Sequence, residues 1–430
     1  MSYANWAWRT AAIPGLDRLP KDWRIEPLRE VLSEYSDKNV AGAEENLLSL
    51  SYGRIVRRDI ESNEGLLPES FTTYQIVQPS NIILRLTDLQ NDKRSLRVGY
   101  VLEKGIITSA YVCLRVLPGC DPRYLYYVLH AYDLMKIFYG LGGGVRQSMD
   151  YDDIKWLPLP IPPLDIQLSI VAGLDTVESK SEEARKHCSG FAKMLEERRI
   201  ALISTTVTKG CDALAPTRET GIEWIREIPA HWKLEKIKAL FKLCCTPAPP
   251  DNDYELLSLY TDVGVRPRKE LQERGNKATT TDGYWLVKPG DIVVNKLLAW
   301  MGAIAASSYE GVTSPAYDIL RPRVELNPWY YDYLFRSGLY LTAFRMNSRG
   351  IMDMRLRLYF EELGTIIVPY PPIDEQNAIV EYLRPRAAFY ENALTLCKCY
   401  ADVVHEHSAA VTKGAVLGQT ALRSASSLSA

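Results

Sequence analysis

Residues 157–171 read LPLPIPPLDIQLSIV, and 209 positions later residues 366–380 read IIVPYPPIDEQNAIV. The same offset returns in LPKDWRIEPLREVL (19–32) and IPAHWKLEKIKALF (228–241), and in the LLSL stretches that begin at Leu47 and Leu256. YQIVQPSNII (74–83) is matched by YWLVKPGDIV (284–293) at 210, TSAYVCLR (108–115) by SPAYDILR (314–321) at 206, and MDYDDI (149–154) by LYFEEL (358–363) at 209. VTKG closes both copies, at Gly210 and at Gly414. Matches that keep their order with so little drift require one unit of about 190–200 residues written twice, far too long for a solenoid repeat. Each copy is domain-sized, and a tandem pair can pack with approximate two-fold symmetry.

Each copy has a mixed part and a helical part. YQIVQPSNIIL and YWLVKPGDIVV read as strand, Pro-containing turn, strand. DPRYLYYVLHAYDLMKIFY (121–139) and NPWYYDYLFRSGLYLTAF (327–344) read as helices opened by Asp or Asn with Pro next. Pro162-Pro163 and Pro371-Pro372 end a strand ahead of helices whose starts carry Asp165 and Asp374. A seam then runs through Val380, Leu383, Ala387, Tyr390, Leu394, Cys397, Ala401, Val404, Ser408 and Val411 in steps of three or four. The first copy keeps the rhythm at Ala184, Cys188, Phe191, Leu195 and Leu202, and Gly173 and Pro385 predict a break or kink near each start. Two narrow seams in one chain pair most simply with each other. The expectation is an α+β chain: two similar α/β domains joined by two long antiparallel coiled-coil helices, in a pseudo-two-fold repeat. Its parts are a first domain at 1–163, helix at 164–210, a second domain at 211–372, helix at 373–414, and a tail at 415–430 whose LRSASSLSA end suggests disorder.

Composition narrows the function classes. The chain is 47% hydrophobic and 24% charged, as soluble globular proteins are. MSYANWAWRT lacks a basic and apolar leader, LLAWMGAIAA (297–306) is half a membrane span, and eight cysteines have no compact spacing. These features place the expected location in the cytoplasm, away from membranes. Net charge is −2, with 19 basic and 20 acidic residues in 1–163 and 20 of each in 211–372. Nucleic-acid binding would therefore need local clusters and help from a partner. The 26 tyrosines against 8 phenylalanines suit either wet binding surfaces or packing at strand edges.

A pseudo-two-fold chain with two unlike heads fits duplex DNA with two unlike half-sites. GRIVRRD supplies Arg54, Arg57 and Arg58, and GVRPRKE supplies Arg266, Arg268 and Lys269, at corresponding places. Arginine's planar fork suits phosphate and guanine. GLGGGVRQSMD (140–150) offers Arg146, Gln147 and Ser148, and SRGIMDMRLRL (348–358) offers Arg349, Arg355 and Arg357. Lys296 completes the candidate set. Against each stands the plainer reading of a solvated, charged loop.

Catalytic motifs do not hold up. NPWY (327–330) lacks the second proline of an adenine methyltransferase's Asn-Pro-Pro-Tyr and aligns with DPRY, a helix start. YGLGGG has no framing strand and downstream acid. Asp153-Ile-Lys155 imitates a nuclease motif, but its counterpart, Glu362-Leu-Gly364, loses the lysine. Cys397, Cys399, His405 and His407 cannot converge on a metal while helical.

At VTKGCDALAPTRETGIEWIREIPAHWKLEKIK (207–238), PPLDIQLSIV and PPIDEQNAIV, the chain resembles the specificity subunit of type I restriction–modification enzymes, over about residues 5–414. The resemblance implies a non-catalytic subunit whose two target-recognition domains each read half of a bipartite asymmetric DNA site. Its paired helices would act as a ruler and a dock for two methyltransferase subunits. It implies no cofactor in this chain; the partners would use S-adenosylmethionine, and added restriction/translocase subunits would use ATP and magnesium. The lack of GGGVRQS in the second copy departs from loop-for-loop equivalence. The alternatives are a coiled-coil scaffold that organises protein partners without reading DNA, and a self-contained methyltransferase or nuclease.

Overall fold

The repeat in the letters is also a repeat in the hydrogen bonds. A computed structural model describes residues 13–58, 71–89, 92, 96–140, 148–270, 281–350 and 356–420. Its contacts gather into two compact units, Met1–Cys188 with Cys399–Ala430, and Ser189–Lys398. Both long helices are therefore divided between the units rather than cut at their ends.

In the first unit a four-stranded antiparallel sheet runs in the order Leu32–Glu34, Val112–Val116, Ile82–Leu84, Val98–Tyr100. The second unit has the same order in Phe241–Leu243, Tyr317–Pro322, Ile292–Asn295, Ile304–Ala306. The inner strands Ile82–Leu84 and Ile292–Asn295 are buried throughout, which is why IIL and IVV read as continuous apolar runs rather than alternating ones. The LLSL strands instead alternate, and each forms a hairpin: Leu48–Ser51 with Arg54–Arg57, and Leu257–Tyr260 with Gly264–Pro267. The first hairpin turns on Tyr52 and Gly53, with φ of 48° and 80°, the left-handed pair that a two-residue turn demands.

The DPRY and NPWY segments start helices as expected. The Asp121 side chain accepts from the Tyr124 N–H, and the Asn327 side chain accepts from the Trp329 N–H. The second segment is two helices, not one: Pro328–Phe335 and Gly338–Met346. Ser337 between them is extended, with ψ 148°. The tyrosines on these helices mostly face inward. Tyr124 and Tyr132 donate to the carbonyls of Pro160 and Pro158, and Tyr331 and Tyr340 to those of Pro369 and Ile367. Those carbonyls belong to two-stranded ribbons, one in each unit, where one strand edge has no ladder partner among the described residues. The phenols satisfy buried acceptors that would otherwise be orphaned.

The long helices are Leu164–Lys209 and Ile373–Val416, of 46 and 44 residues. Both run unbroken past Gly173 and Pro385, so a break at those positions is not found. Pro385 and Glu381, whose carbonyl loses its donor, both face solvent, so water can take up the freed acceptor. Every seam position of the second helix is buried or half-buried. On the first helix the seam needs one correction: Phe191 is 49% exposed, and Ala192 takes the inward place. Within the first unit, Leu174 and Glu178 share a cleft with Thr412, Ser408 and His405. Within the second, Val207 packs in one cluster with Ile379, Val380 and Leu383. Residues 415–417 are not a disordered tail. Ala415, Val416 and Leu417 are buried in the core of the first unit beside Ile13 and Leu16. The LRSASSLSA end lies outside the described residues.

The repeated Pro-Pro motif finds its reason in a glutamine. Gln167 accepts from the Asp121 N–H at 2.8 Å and donates to the Pro162 carbonyl at 2.9 Å. Gln376 accepts from the Asn327 N–H at 2.9 Å and donates to the Pro371 carbonyl at 2.8 Å. Both are buried. The amide locks the helix start, the preceding proline strand and the capped domain helix together in each unit.

Candidate nucleic-acid interface

The expected hairpin cations are present, but they have partners. Arg54 donates to Glu182 of the first long helix at 2.8 Å. Arg57 makes a two-point contact with Glu103, one bond of which is 2.7 Å. These bonds hold the Glu182 and Glu103 carboxyls below the usual range. Arg58 is exposed and is not free of interaction. In the second unit Lys269 pairs with Glu255, and Arg268 is not free of interaction. Arg266 differs: its partner is neutral, the Tyr309 hydroxyl at 3.1 Å, with the guanidinium lying over that ring. Its charge is oriented without being cancelled.

The loops before the last strand are pinned by a common bond. The Met149 N–H donates to the Leu86 carbonyl, and the Leu358 N–H donates to the Lys296 carbonyl, each at 2.9 Å. This brings Ser148, which is exposed, to the 85–89 segment of the first unit. In the second it brings Arg349 and Arg357, whose backbones bond each other both ways, to the turn carrying Lys296. Lys296 itself pairs with Asp318 at 3.3 Å, where burial pushes the Asp318 carboxyl up. Arg349 pairs with Glu362, and Arg357 is exposed. Arg146, Gln147 and Arg355 lie outside the described residues. The structure thus gathers Lys296, Arg349 and Arg357 into one loop cluster, sets Arg54, Arg57 and Lys269 on carboxylates and sets Arg266 on a tyrosine.

Two further features were not found in the sequence. Arg97 is fully buried and donates to the carbonyls of Arg85, Thr87, Asp88 and Asp92 and to the Tyr139 hydroxyl. It ties Arg85, Thr87 and Asp88 to Asp92, as a positioning residue. Nothing in NDKRSLRVGY marks it among its basic neighbours. The second unit instead shapes its turn with short-range bonds from Leu298 to Asn295 and from Met301 to Leu298, and Arg345 lies over Trp300 at 5.5 Å. The other feature is a row of exposed lysines on Lys233–Lys236, Ile237–Leu240 and Phe241–Leu243. Lys233 and Lys238 stand opposite Arg24 and Arg29 in the first copy, but Lys236 and Lys242 stand opposite Pro27 and Ser33, so comparison of the copies passed over the row.

Asp150 and Asp153 cap each other's backbone at a short helix, and Lys155 pairs with Asp152, an N-cap arrangement. Among the described residues no group of three or more His, Cys, Asp or Glu side chains could hold a metal ion. Among them, too, no helix is long and apolar enough to cross a membrane.

Residues 94–187 match the family described as Type I restriction modification DNA specificity domain. A protein of Methanocaldococcus jannaschii assigned as the type I restriction enzyme MjaX specificity subunit is 20% identical over 393 residues, 86% of this chain and 88% of its own. Among solved structures, a chain described for complex assembly and conformational transition of the type I R-M system superposes with a TM-score of 0.67 at 17% identity, over 94% of this chain and 100% of its own. The HsdS subunit from Thermoanaerobacter tengcongensis gives 0.50 at 16% identity, over 94% and 98%. At these identities the structures speak for the fold.

Proposed function

We propose that this chain, which carries a type I restriction–modification DNA specificity domain and resembles specificity subunits over most of its length, reads a bipartite, asymmetric DNA site for such a complex. Each unit's recognition domain would read one half. The loop cluster of Lys296, Arg349 and Arg357, and its first-unit equivalent at Ser148, would approach the bases, with Arg266 as a further donor. The observation that carries this reading is the common bond, Met149 to Leu86 and Leu358 to Lys296. It presents the two loops from the same backbone frame while their side chains differ, as unlike half-sites require.

The long helices would pair antiparallel along their length, relate the units by a pseudo-two-fold axis, set the spacer between half-sites, and dock two methyltransferase subunits. Exposed apolar side chains support docking: Phe389 and Leu396 in the second unit's share of the second helix, Tyr400 and Val403 in the first's. The chain would be non-catalytic and cytoplasmic. S-adenosylmethionine would belong to the methyltransferase partners, and ATP and magnesium to restriction/translocase subunits.

The same exposed apolar residues are what a scaffold without DNA specificity would need. Methylation-site sequencing in a host carrying this chain and its partners separates the two. An adenine-methylated bipartite motif that disappears with the chain is expected. Methylation unaffected by loss of the chain leaves the scaffold.

A further inference from the structure

The second unit carries a groove of about 760 Å³ between the strand–turn–strand 233–243 and the short helix Phe360–Leu363. Its floor includes Phe241 and Phe360, and its rim carries Lys236, Lys238, Lys242 and Arg323 against a single carboxylate, Glu235. All four cations are exposed. Among the described residues the three lysine ammonium groups have no carboxylate partner. The Arg323 guanidinium donates to a backbone carbonyl, that of Lys238, at 3.2 Å.

The first unit has the same backbone with one cation in place of four. Its equivalents of Lys236, Lys238 and Lys242 are Pro27, Arg29 and Ser33. Arg29 donates to Glu30 at 3.0 Å and stacks on Trp156 at 3.7 Å. Leu117 N–H to Val31 carbonyl, and Arg323 N–H to Leu240 carbonyl, are the same bond in the two units, so Leu117 stands where Arg323 does.

Attraction to a polyanion depends on charge that the protein has not already cancelled. The hairpin cations Arg54, Arg57 and Lys269 sit on carboxylates; the groove cations do not. We infer that Lys236, Lys238, Lys242 and Arg323 hold the phosphate backbone of duplex DNA, so that sequence-independent grip comes mainly from the second unit. This rests on the DNA-reading function proposed above and adds to it a backbone clamp separate from the base-reading loops. Lysine is apt here, because a flexible point charge follows a phosphate without demanding a base.

The test is a salt titration of duplex binding by the full chain, alone and with methyltransferase subunits, for wild type, K236Q/K238Q/K242Q and K236R/K238R/K242R. The glutamine variant should flatten the slope of log K against log salt by about 0.9 per lost phosphate contact, nearly three in all. It should weaken selected-site and scrambled duplexes alike, and the arginine variant should keep the wild-type slope. An unchanged slope in the glutamine variant, with wild type binding its selected site, overturns the clamp and leaves the reading of DNA intact. A loss confined to one sequence makes these lysines base readers and also overturns it. Wild type that prefers no sequence in either setting removes both.

Discussion

The two units share a skeleton down to single hydrogen bonds, yet some of their cations sit in different surroundings. Gln167 and Gln376 make the same two bonds, and the loop bonds at Met149 and Leu358 coincide. Arg54 and Arg57, however, are held by carboxylates, whereas Arg266 has a tyrosine and the 236–242 lysines have open solvent. Duplication has kept what holds the fold and varied what faces a partner. The lesson is that equivalence of backbone says little about equivalence of charge.

The largest expected effect probes the shared skeleton. Gln167→Ala and Gln376→Ala each strand a half-buried N–H and a buried carbonyl, at a cost of about 2–4 kcal/mol. Urea unfolding followed by hydrogen exchange should place the loss in the first unit for one variant and in the second for the other. A strong effect at only one would break the equivalence.

The next sharpens the contrast in charge. Arg266→Ala should weaken duplex binding about tenfold, the range of one lost base or phosphate contact, whereas Arg57→Ala should weaken it less, because Glu103 already neutralises that guanidinium. Equal losses in a shift assay would show that the carboxylate is displaced on binding and that free-state pairing is a poor guide.

The smallest is a pH effect in the first unit. His130 has a buried Nδ1 with no partner among the described residues and stacks on Tyr126. Burial, and then the nearby His405, lower its pKa to about 4 from 6.5. Between those values the unfolded chain holds a proton that the folded chain does not, so this group makes stability rise with pH. Asp133 works the other way. Burial raises it from 3.8 to about 6, so its contribution to stability is present at low pH and falls as pH climbs through that window. Between pH 4.5 and 6.5, Asp133→Asn should steepen the rise in stability and His130→Phe should reduce or reverse it. Parallel curves for all three proteins would remove both assignments.

The sequence disclosed the skeleton because the skeleton was duplicated. Strand–turn–strand pairs, the Asp121 and Asn327 caps and the second-helix seam are carried by residue types whose backbone preferences are local. Three features escaped for physical reasons. Phe191 looked inward by rhythm, but a large apolar side chain beside Ala192 fits the three-and-four pattern almost as well, and only packing decides. Pro385 could not be read as tolerated without knowing that Glu381 faces water. The glutamine clamp was visible as a letter common to PPLDIQ and PPIDEQ, but its partners lie more than forty residues away in Asp121 and Asn327. The candidate interface was less legible still. Cation positions could be named, but carboxylate partners such as Glu182 and Glu103 are distant in sequence, and the lysine groove is absent from the first copy.

The central claim is that two unlike reading heads on one chain select two unlike half-sites. Selection from a pool of random duplexes, by the full chain with methyltransferase subunits, tests it most directly. The account predicts enrichment of two different short sequences separated by an unread spacer of fixed length. Recovery of a single uninterrupted sequence, or of none, would contradict it.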